Sequence, residues 1–272
     1  MAASNLTLRL CTGALVVPPL LLLMYRGPAW AFFVLVLIAA GLAAREFFRM
    51  THPGDAISQG ACIVLTLAAA AVVYQFPNEP RALLTLLLVT TLAGMLLPLW
   101  RLGEISTAGI RMTAGAAGPL YIGATLATLA LLRRDLESGP SWVVLTLMFA
   151  WLADTGGYFF GRFLGKTPLY PAVSPKKTRA GFVGALFGAA CGTLIAHFSF
   201  LPELPLGAGL LLAIVAGALG QLGDLAESLL KRSTGIKDSG SLVPGHGGML
   251  DRLDALLVVG PLVYLFSVWA LG

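Results

Sequence analysis

The chain has 272 residues, of which 57% are hydrophobic and 11% charged, with a net charge of +5 and a mean hydropathy of +0.85. Soluble domains carry about 25% charged residues, so this chain lacks the polar groups to cover a water-facing globule and reads as an all-α polytopic membrane protein. Its positive balance carries no nucleic-acid reading before the cations are placed, and Cys11, Cys62 and Cys191 are scattered through apolar stretches without metal-ligand or disulfide spacing.

A membrane-spanning helix needs about 20 apolar residues. Nine stretches meet this in chain order: 8–25, 29–46, 60–76, 82–100, 112–132, 141–161, 181–200, 206–229 and 252–270. The first, with Arg9 ahead of it and Ala29-Trp30-Ala31 behind, loosely imitates a signal peptide. Arg26 and Pro28 interrupt that pattern and another apolar stretch follows at once, so a retained first helix is expected. The third stretch is short and the fifth glycine-rich. All are continuously apolar rather than alternating, which excludes membrane β-strands.

Nine spans with the loop 162–179 inside leave only Arg26, Arg81, Arg133 and Arg134, of the 18 Lys and Arg residues, on the outer side. Positive loops stay cytoplasmic, so the N-terminus is expected inside and the C-terminus outside. Residues 1–140 are expected to form a helical scaffold that faces lipid and has room for homodimer contacts. Residues 141–272 are expected to form a catalytic region with basic cytoplasmic loops.

The acidic residues locate that region. In the first half they fall at helix ends or loops, as with Glu46, Asp55 and Glu104. In the second half they enter apolar segments, where charges are expensive and by default mark function: Asp154 in FAWLADTGGYFFGR, Asp224 and Glu227 in LGQLGDLAESLLKR, and Asp251 and Asp254 at the opening of the last helix. Asp224, Glu227, Ser228 and Lys231 stand at i, i+3, i+4 and i+7, one helix face, and Asp251 and Asp254 at i and i+3. Converging acidic faces repel unless a cation sits between them, and oxygen-rich carboxylate sites suit magnesium, which commonly arrives with substrate phosphates. The plainer alternative is helix-fixing ion pairs, Asp251 with Arg252 and Asp224 with Lys231.

Three neighbouring loops point to phosphate. SPKKTRAG (174–181) and KRSTGIKDSG (231–240) combine cations with hydroxyls, and PGHGG (244–248) leads into a helix start, where backbone N–H groups and the dipole can hold an anion. Basic loops alone more often set topology; beside a buried acidic cluster they fit a magnesium-nucleotide or pyrophosphate site. His246 is open between a general acid or phosphate donor and a simple helix cap.

Ser228-Leu-Leu-Lys231-Arg232, then Lys237-Asp238, then Pro244-Gly-His246-Gly247-Gly248-Met-Leu-Asp251-Arg252-Leu-Asp254 resembles the signature of phosphatidate cytidylyltransferases, the CDP-diacylglycerol synthases of membranes. Asp154-Thr155-Gly156 with Tyr158, Gly161-Arg162, Gly165-Lys166 and Ser174-Pro-Lys176-Lys177-Thr178 resembles a second block of that family. The resemblance is motif-level over 150–255 and architectural before it. It departs at Ala180, where the family usually has Glu.

The resemblance implies a reaction of CTP with phosphatidate to give CDP-diacylglycerol and pyrophosphate, in phospholipid biosynthesis. Asp224 and Asp251 are the expected magnesium ligands, with a second, monovalent cation left open; Asp154 and Asp254 are further metal or water contacts. Lys176, Lys177, Lys231, Arg232 and Lys237 are expected to hold phosphates, with Ser174, Thr178 and Ser228 as hydroxyl partners and Gly247, Gly248 and Arg252 beside the nucleotide. Asp224, Asp251, Asp254, Lys231 and His246 form the expected catalytic group. No nucleic-acid partner is expected, and the protein is placed in a bacterial inner membrane with its site facing the cytoplasm. The rivals are a transporter with midplane carboxylates and a CTP-dependent polyprenol or phytol kinase; the DGxxAR tract of alcohol phosphatidyltransferases is absent.

Overall fold

The computed structural model describes Leu15 and residues 17–240 and 247–270. Helices are α1 (Val17–Arg26), α2 (Ala29–Thr51), α3 (Ala56–Gln75), α4 (Pro80–Trp100), α5 (Ala108–Gly118), α6 (Thr125–Asp135), α7 (Gly139–Leu164), α8 (Arg179–Ser199), α9 (Leu206–Ser233), a single turn α10 (Leu250–Leu253) and α11 (Leu256–Ala270). Among the described residues, eight helical stretches are long and apolar enough to cross a membrane, so the chain is an integral membrane protein. The expected first span, 8–25, lies partly outside the described residues. An addition the sequence did not announce is a small antiparallel hairpin, β1 (Pro168–Tyr170) and β2 (Ser174–Thr178), with Pro168 opposite Thr178 and Tyr170 opposite Ser174.

The chain divides into two compact units, Met1–Ala130 with Asp238–Leu253, and Leu131–Lys237 with Asp254–Gly272. In the first, α2 buries Phe32, Val36, Ala40, Ala43 and Phe47, the spacing of one helical stripe. The Asp55 carboxylate starts α3 by accepting the Ser58 N–H at 3.2 Å and its hydroxyl at 2.6 Å. Helix α4 turns Leu84, Leu88, Leu92 and Leu99 outward, as a lipid-facing surface requires. Helices α5 and α6 are joined by a π-helical segment, Pro119–Ala124; proline lacks an N–H and crowds the preceding turn, and the widened helix absorbs it. The α4–α5 connection is tied to Arg111, whose guanidinium donates to the carbonyls of Arg101 (2.8 Å), Leu102 and Glu104 (3.0 Å). Gly103 turns this loop at φ +53°, and a Cβ there would lie 2.9 Å from Arg111 Nη1, so both conformation and space demand glycine.

In the second unit α7 and α8 meet backbone to backbone. A Cβ on Gly156 would collide with the Gly184 carbonyl, one on Gly184 with the Gly156 carbonyl, and one on Gly188 with the Leu152 carbonyl. Small residues let membrane helices approach closely where dispersion, rather than water exclusion, drives association. Helix α9 packs on α8, and α11 packs on α7 and α9, with the Trp142 and Phe266 rings 6.4 Å apart. Thr178 ends β2 and caps α8, its Oγ1 accepting the Gly181 N–H at 3.0 Å.

Gly188→Ala is therefore expected to overpack the α7–α8 contact and cost about 1–3 kcal/mol, seen as a lower unfolding midpoint in detergent. Gly192→Ala, whose nearest neighbour would be 3.5 Å away, should melt like wild type. Equal midpoints for the two variants would show that glycine does not set this approach.

Candidate functional site

Asp154, Gly157, Tyr158, Gly161 and Arg162 recur on one face of α7. The β1–β2 hairpin brings Lys176, Lys177 and Thr178 to that face, and α9 brings Gln221 and Asp224. Together with Gly181 and Phe182 of α8 they line a cavity of about 410 Å3 within the second unit. Two carboxylates, three cations and a phenol thus share one concave space. Lys177 Nζ lies 2.6 Å from Asp224 Oδ2, and Ser228 Oγ donates to Asp224 Oδ1 at 3.3 Å. Arg162 Nη1 donates to the Tyr158 hydroxyl at 3.0 Å.

The expected α9 face forms, with different pairings from those weighed for it. Lys231 pairs with Glu227 at 3.3 Å, while Asp224 pairs with Lys177. Ser174 sits half-buried in β2 and does not line the cavity. Arg232 and Lys237 are exposed, and Arg232 Nη1 donates to the Ile236 carbonyl at 3.2 Å. Asp254 is not the second acid of a continuous helix. It occupies the turn between α10 and α11, where its Oδ1 accepts the Ala255 N–H at 2.7 Å, and its carbonyl oxygen lies 2.9 Å from where a Gly223 Cβ would be.

Asp251 belongs to the first unit. Its Oδ2 accepts the N–H groups of Gly248 at 3.0 Å and Ser239 at 3.2 Å. Gly247 turns the segment at φ +83°, and a Cβ there would sit 3.0 Å from that oxygen. Arg252 is exposed. His246 lies outside the described residues.

Sequence reasoning missed Glu46. Read as a helix-end charge, it is only 8% exposed. It accepts from Ser239 Oγ at 2.9 Å and from the Met249 and Leu250 N–H groups at 3.0 and 2.8 Å. The glycine-rich segment's N–H groups from Gly248 to Leu250, expected to face an anion, are thus received by two side-chain carboxylates. A burial pattern does not reveal such a partner, because it lies about two hundred residues away in the chain. Arg162 and Tyr158 were legible: they follow Asp154 at i+8 and i+4.

Among the described residues, no three His, Cys, Asp or Glu side chains gather as a metal cage. Asp154 and Asp224 nevertheless offer two carboxylates to one cavity, which fits magnesium held by one or two carboxylates plus substrate phosphates.

The sequence profile of the Cytidylyltransferase family matches residues 7–269. The chain is 43% identical over 153 residues to a phosphatidate cytidylyltransferase of Brucella suis, a stretch covering 56% of this chain and 56% of that protein; the counterpart from Brucella melitensis gives the same figures. A phosphatidate cytidylyltransferase of Staphylococcus haemolyticus is 41% identical over 132 residues, 48% of this chain and 51% of its own. The chain spans about half the length of the curated relatives it matches.

Glu46→Ala should strand two backbone N–H groups and the Ser239 hydroxyl. An unsatisfied buried donor costs about 1–3 kcal/mol, so the unfolding midpoint should fall clearly, and less for Glu46→Gln, which keeps an acceptor. The exposed neighbour change Arg45→Ala should leave it alone. Matching midpoints for Glu46→Ala and Arg45→Ala would remove Glu46 as the anchor of this segment.

Proposed function

The chain belongs to the cytidylyltransferase family, and from that premise we propose that it transfers the cytidylyl group of CTP to phosphatidate, giving CDP-diacylglycerol and pyrophosphate. The observation that carries this reading is the shared cavity of Asp154 and Asp224 with Lys176, Lys177 and Arg162. A phosphate oxygen of the lipid attacks the α-phosphorus of CTP, and the bond to the pyrophosphate oxygen breaks. The attacking oxygen is already ionised near neutral pH, so no general base has to remove a proton. The obstacle is repulsion between two anions, and positioning with charge neutralisation must overcome it.

Lys176, Lys177 and Arg162 hold and screen the phosphates of the nucleotide and lipid on this reading, and Thr178 adds a hydroxyl. Asp224 is the proposed magnesium ligand of this cavity, with Asp154 as a further oxygen donor beside it; Asp251 is proposed as a magnesium ligand on the strength of its sequence motif alone. When bound, magnesium would supply charge neutralisation to the nucleotide phosphates. Ser228 orients Asp224 through its hydroxyl. Lys231, His246 and Asp254 as catalytic residues, and Arg232, Lys237, Gly247, Gly248 and Arg252 as nucleotide or phosphate contacts, are proposed on the sequence motif alone. Residues 141–272 are the proposed catalytic region, in a bacterial inner membrane, with the basic loops and N-terminus in the cytoplasm and the C-terminus outside. That sidedness rests on the distribution of Lys and Arg.

Incubating the purified protein with magnesium, labelled CTP and phosphatidate should give a labelled CDP-lipid. Excess EDTA should abolish the product, and ATP should not replace CTP. Asp224→Asn, with an unchanged unfolding midpoint, should lower turnover by roughly 100- to 1000-fold, the usual loss of one electrostatic element of a transition state. Turnover within a few-fold of wild type in a folded Asp224→Asn protein would take Asp224 out of the site. Failure to form any CDP-lipid would overturn the activity itself.

A further inference from the structure

The first unit holds a second cavity, built wholly from its own residues. It measures about 480 Å3 and lies at the α2–α3 and α4–α5 connections, with Asp55, Trp100, Arg101, Glu104 and Arg111 on its walls. Arg111 is only 5% exposed. Its Nη atoms reach loop carbonyls, its buried Nε has no hydrogen-bond partner, and among the described residues it makes no ion pair. A guanidinium satisfied only by carbonyls remains a buried positive charge without a counter-ion, which is costly. Among the described residues, no acid of this cavity is ion-paired with it. Arg101 and Asp55 pair with each other at 3.3 Å, and Glu104, an exposed residue on the cavity wall, makes no ion pair among the described residues. Burial pushes the Asp55 carboxyl up, but the Ser58 hydroxyl and N–H and the Arg101 guanidinium outweigh it and hold it below the usual carboxylate range. The buried Arg111 guanidinium is left without a paired counter-ion beside a space large enough for a small anionic group.

A groove of about 540 Å3 runs between α3 and α4, lined only by apolar side chains, among them Val64, Leu65, Leu96, Leu97 and Trp100. Trp100 belongs to both spaces. It is 84% exposed and ends α4 directly before Arg101, the position that tryptophan favours at a membrane–water interface. Along the same helix Leu88, Leu92 and Leu99 face outward, so lipid is what reaches the groove.

We propose that the cavity and the groove form a single binding site for an anionic glycerophospholipid. Its phosphodiester lies in the cavity beside Arg101 and Arg111, and an acyl chain lies along the groove, the two meeting at Trp100. A phosphodiester supplies the counter-ion that the buried Arg111 lacks. A free phosphate would use only the cavity, and an uncharged lipid only the groove; Trp100, which lines both, favours a molecule carrying both. The site shares no lining residue with the cavity of Asp154 and Asp224 and stands whether or not the proposed reaction is correct.

The test titrates the full chain in detergent, by native mass spectrometry, with phosphatidylglycerol, with diacylglycerol and with inorganic phosphate. Phosphatidylglycerol should bind, and the other two should bind far more weakly. Arg101→Gln should weaken phosphatidylglycerol about fivefold, the effect of one basic residue at an anionic lipid surface. Leu96→Trp, at a half-exposed position, should fill the groove and weaken it at least as much, and Arg81→Gln, at an exposed position on the opposite end of α4, should leave it unchanged. The proposal is overturned if phosphatidylglycerol binds the Arg101→Gln and Leu96→Trp proteins as it binds wild type, or if diacylglycerol binds as tightly as phosphatidylglycerol. A Leu96→Trp change that alters oligomeric state without altering lipid binding would assign the groove to a second copy of the chain and equally overturn it.

Discussion

The near-contact of the α7 and α8 backbones is the constraint on which the candidate catalytic cavity depends. At Gly156, Gly184 and Gly188 even one added carbon would meet a carbonyl of the facing helix. That closeness brings the start of α8 against the end of α7, where a Cβ on Gly165 would come within 2.6 Å of Thr178 Oγ1. Thr178 is at once the last residue of β2 and the cap of α8. The hairpin cannot shift without moving the cap, and Lys176 and Lys177 are therefore held over the Asp154 face. In a bilayer the helices gain nothing by leaving lipid for each other, so such packing must come from van der Waals fit of small residues.

How far the sequence disclosed this can be read residue by residue. Spacing alone put Asp224 and Ser228 on one helix face, and their side chains do meet. The same logic would have found Tyr158 and Arg162 beside Asp154, had the arginine not been assigned to topology. The charge pairs were less legible. Lys231 was available to Asp224 seven residues on, but its reach is better spent on Glu227 one turn away, while Lys177 comes to Asp224 from another element. The hairpin escaped because strands of three and five residues leave no alternation long enough to detect. Glu46 escaped because its partners are remote in sequence, and a single acidic residue at a helix end looks like ordinary solvation.

The glycine-rich tract near the C-terminus shows how similar patterns can carry different physics. Backbone N–H groups ahead of a helix suggest an anion, and anions are indeed present there, but they belong to the protein. Asp251 and Glu46 divide the N–H groups of Ser239, Gly248, Met249 and Leu250 between them. A carboxylate that accepts several N–H groups fixes the backbone that presents them. A Cβ on Gly240 would strike the Glu46 carboxylate, and one on Gly248 would strike both it and Ser239 Oγ. Those glycines therefore give a carboxylate room to enter rather than providing a flexible loop.

The Lys177–Asp224 pair gives the proposed chemistry its economy. An isolated lysine or aspartate in a partly apolar cavity would be destabilising, whereas the two at 2.6 Å offset each other's charge. A nucleotide arriving with a divalent cation presents the complementary pair of charges. On the proposed reading Lys177 would pair with a phosphate and Asp224 with the cation, so that neither charge would be left bare. A cavity of lysines alone would hold phosphate but would strain when empty. One of aspartates alone would repel the nucleotide. The mixed lining of Asp154, Asp224, Lys176, Lys177 and Arg162 avoids both, which is why that cavity, rather than the glycine-rich tract, carries the functional reading.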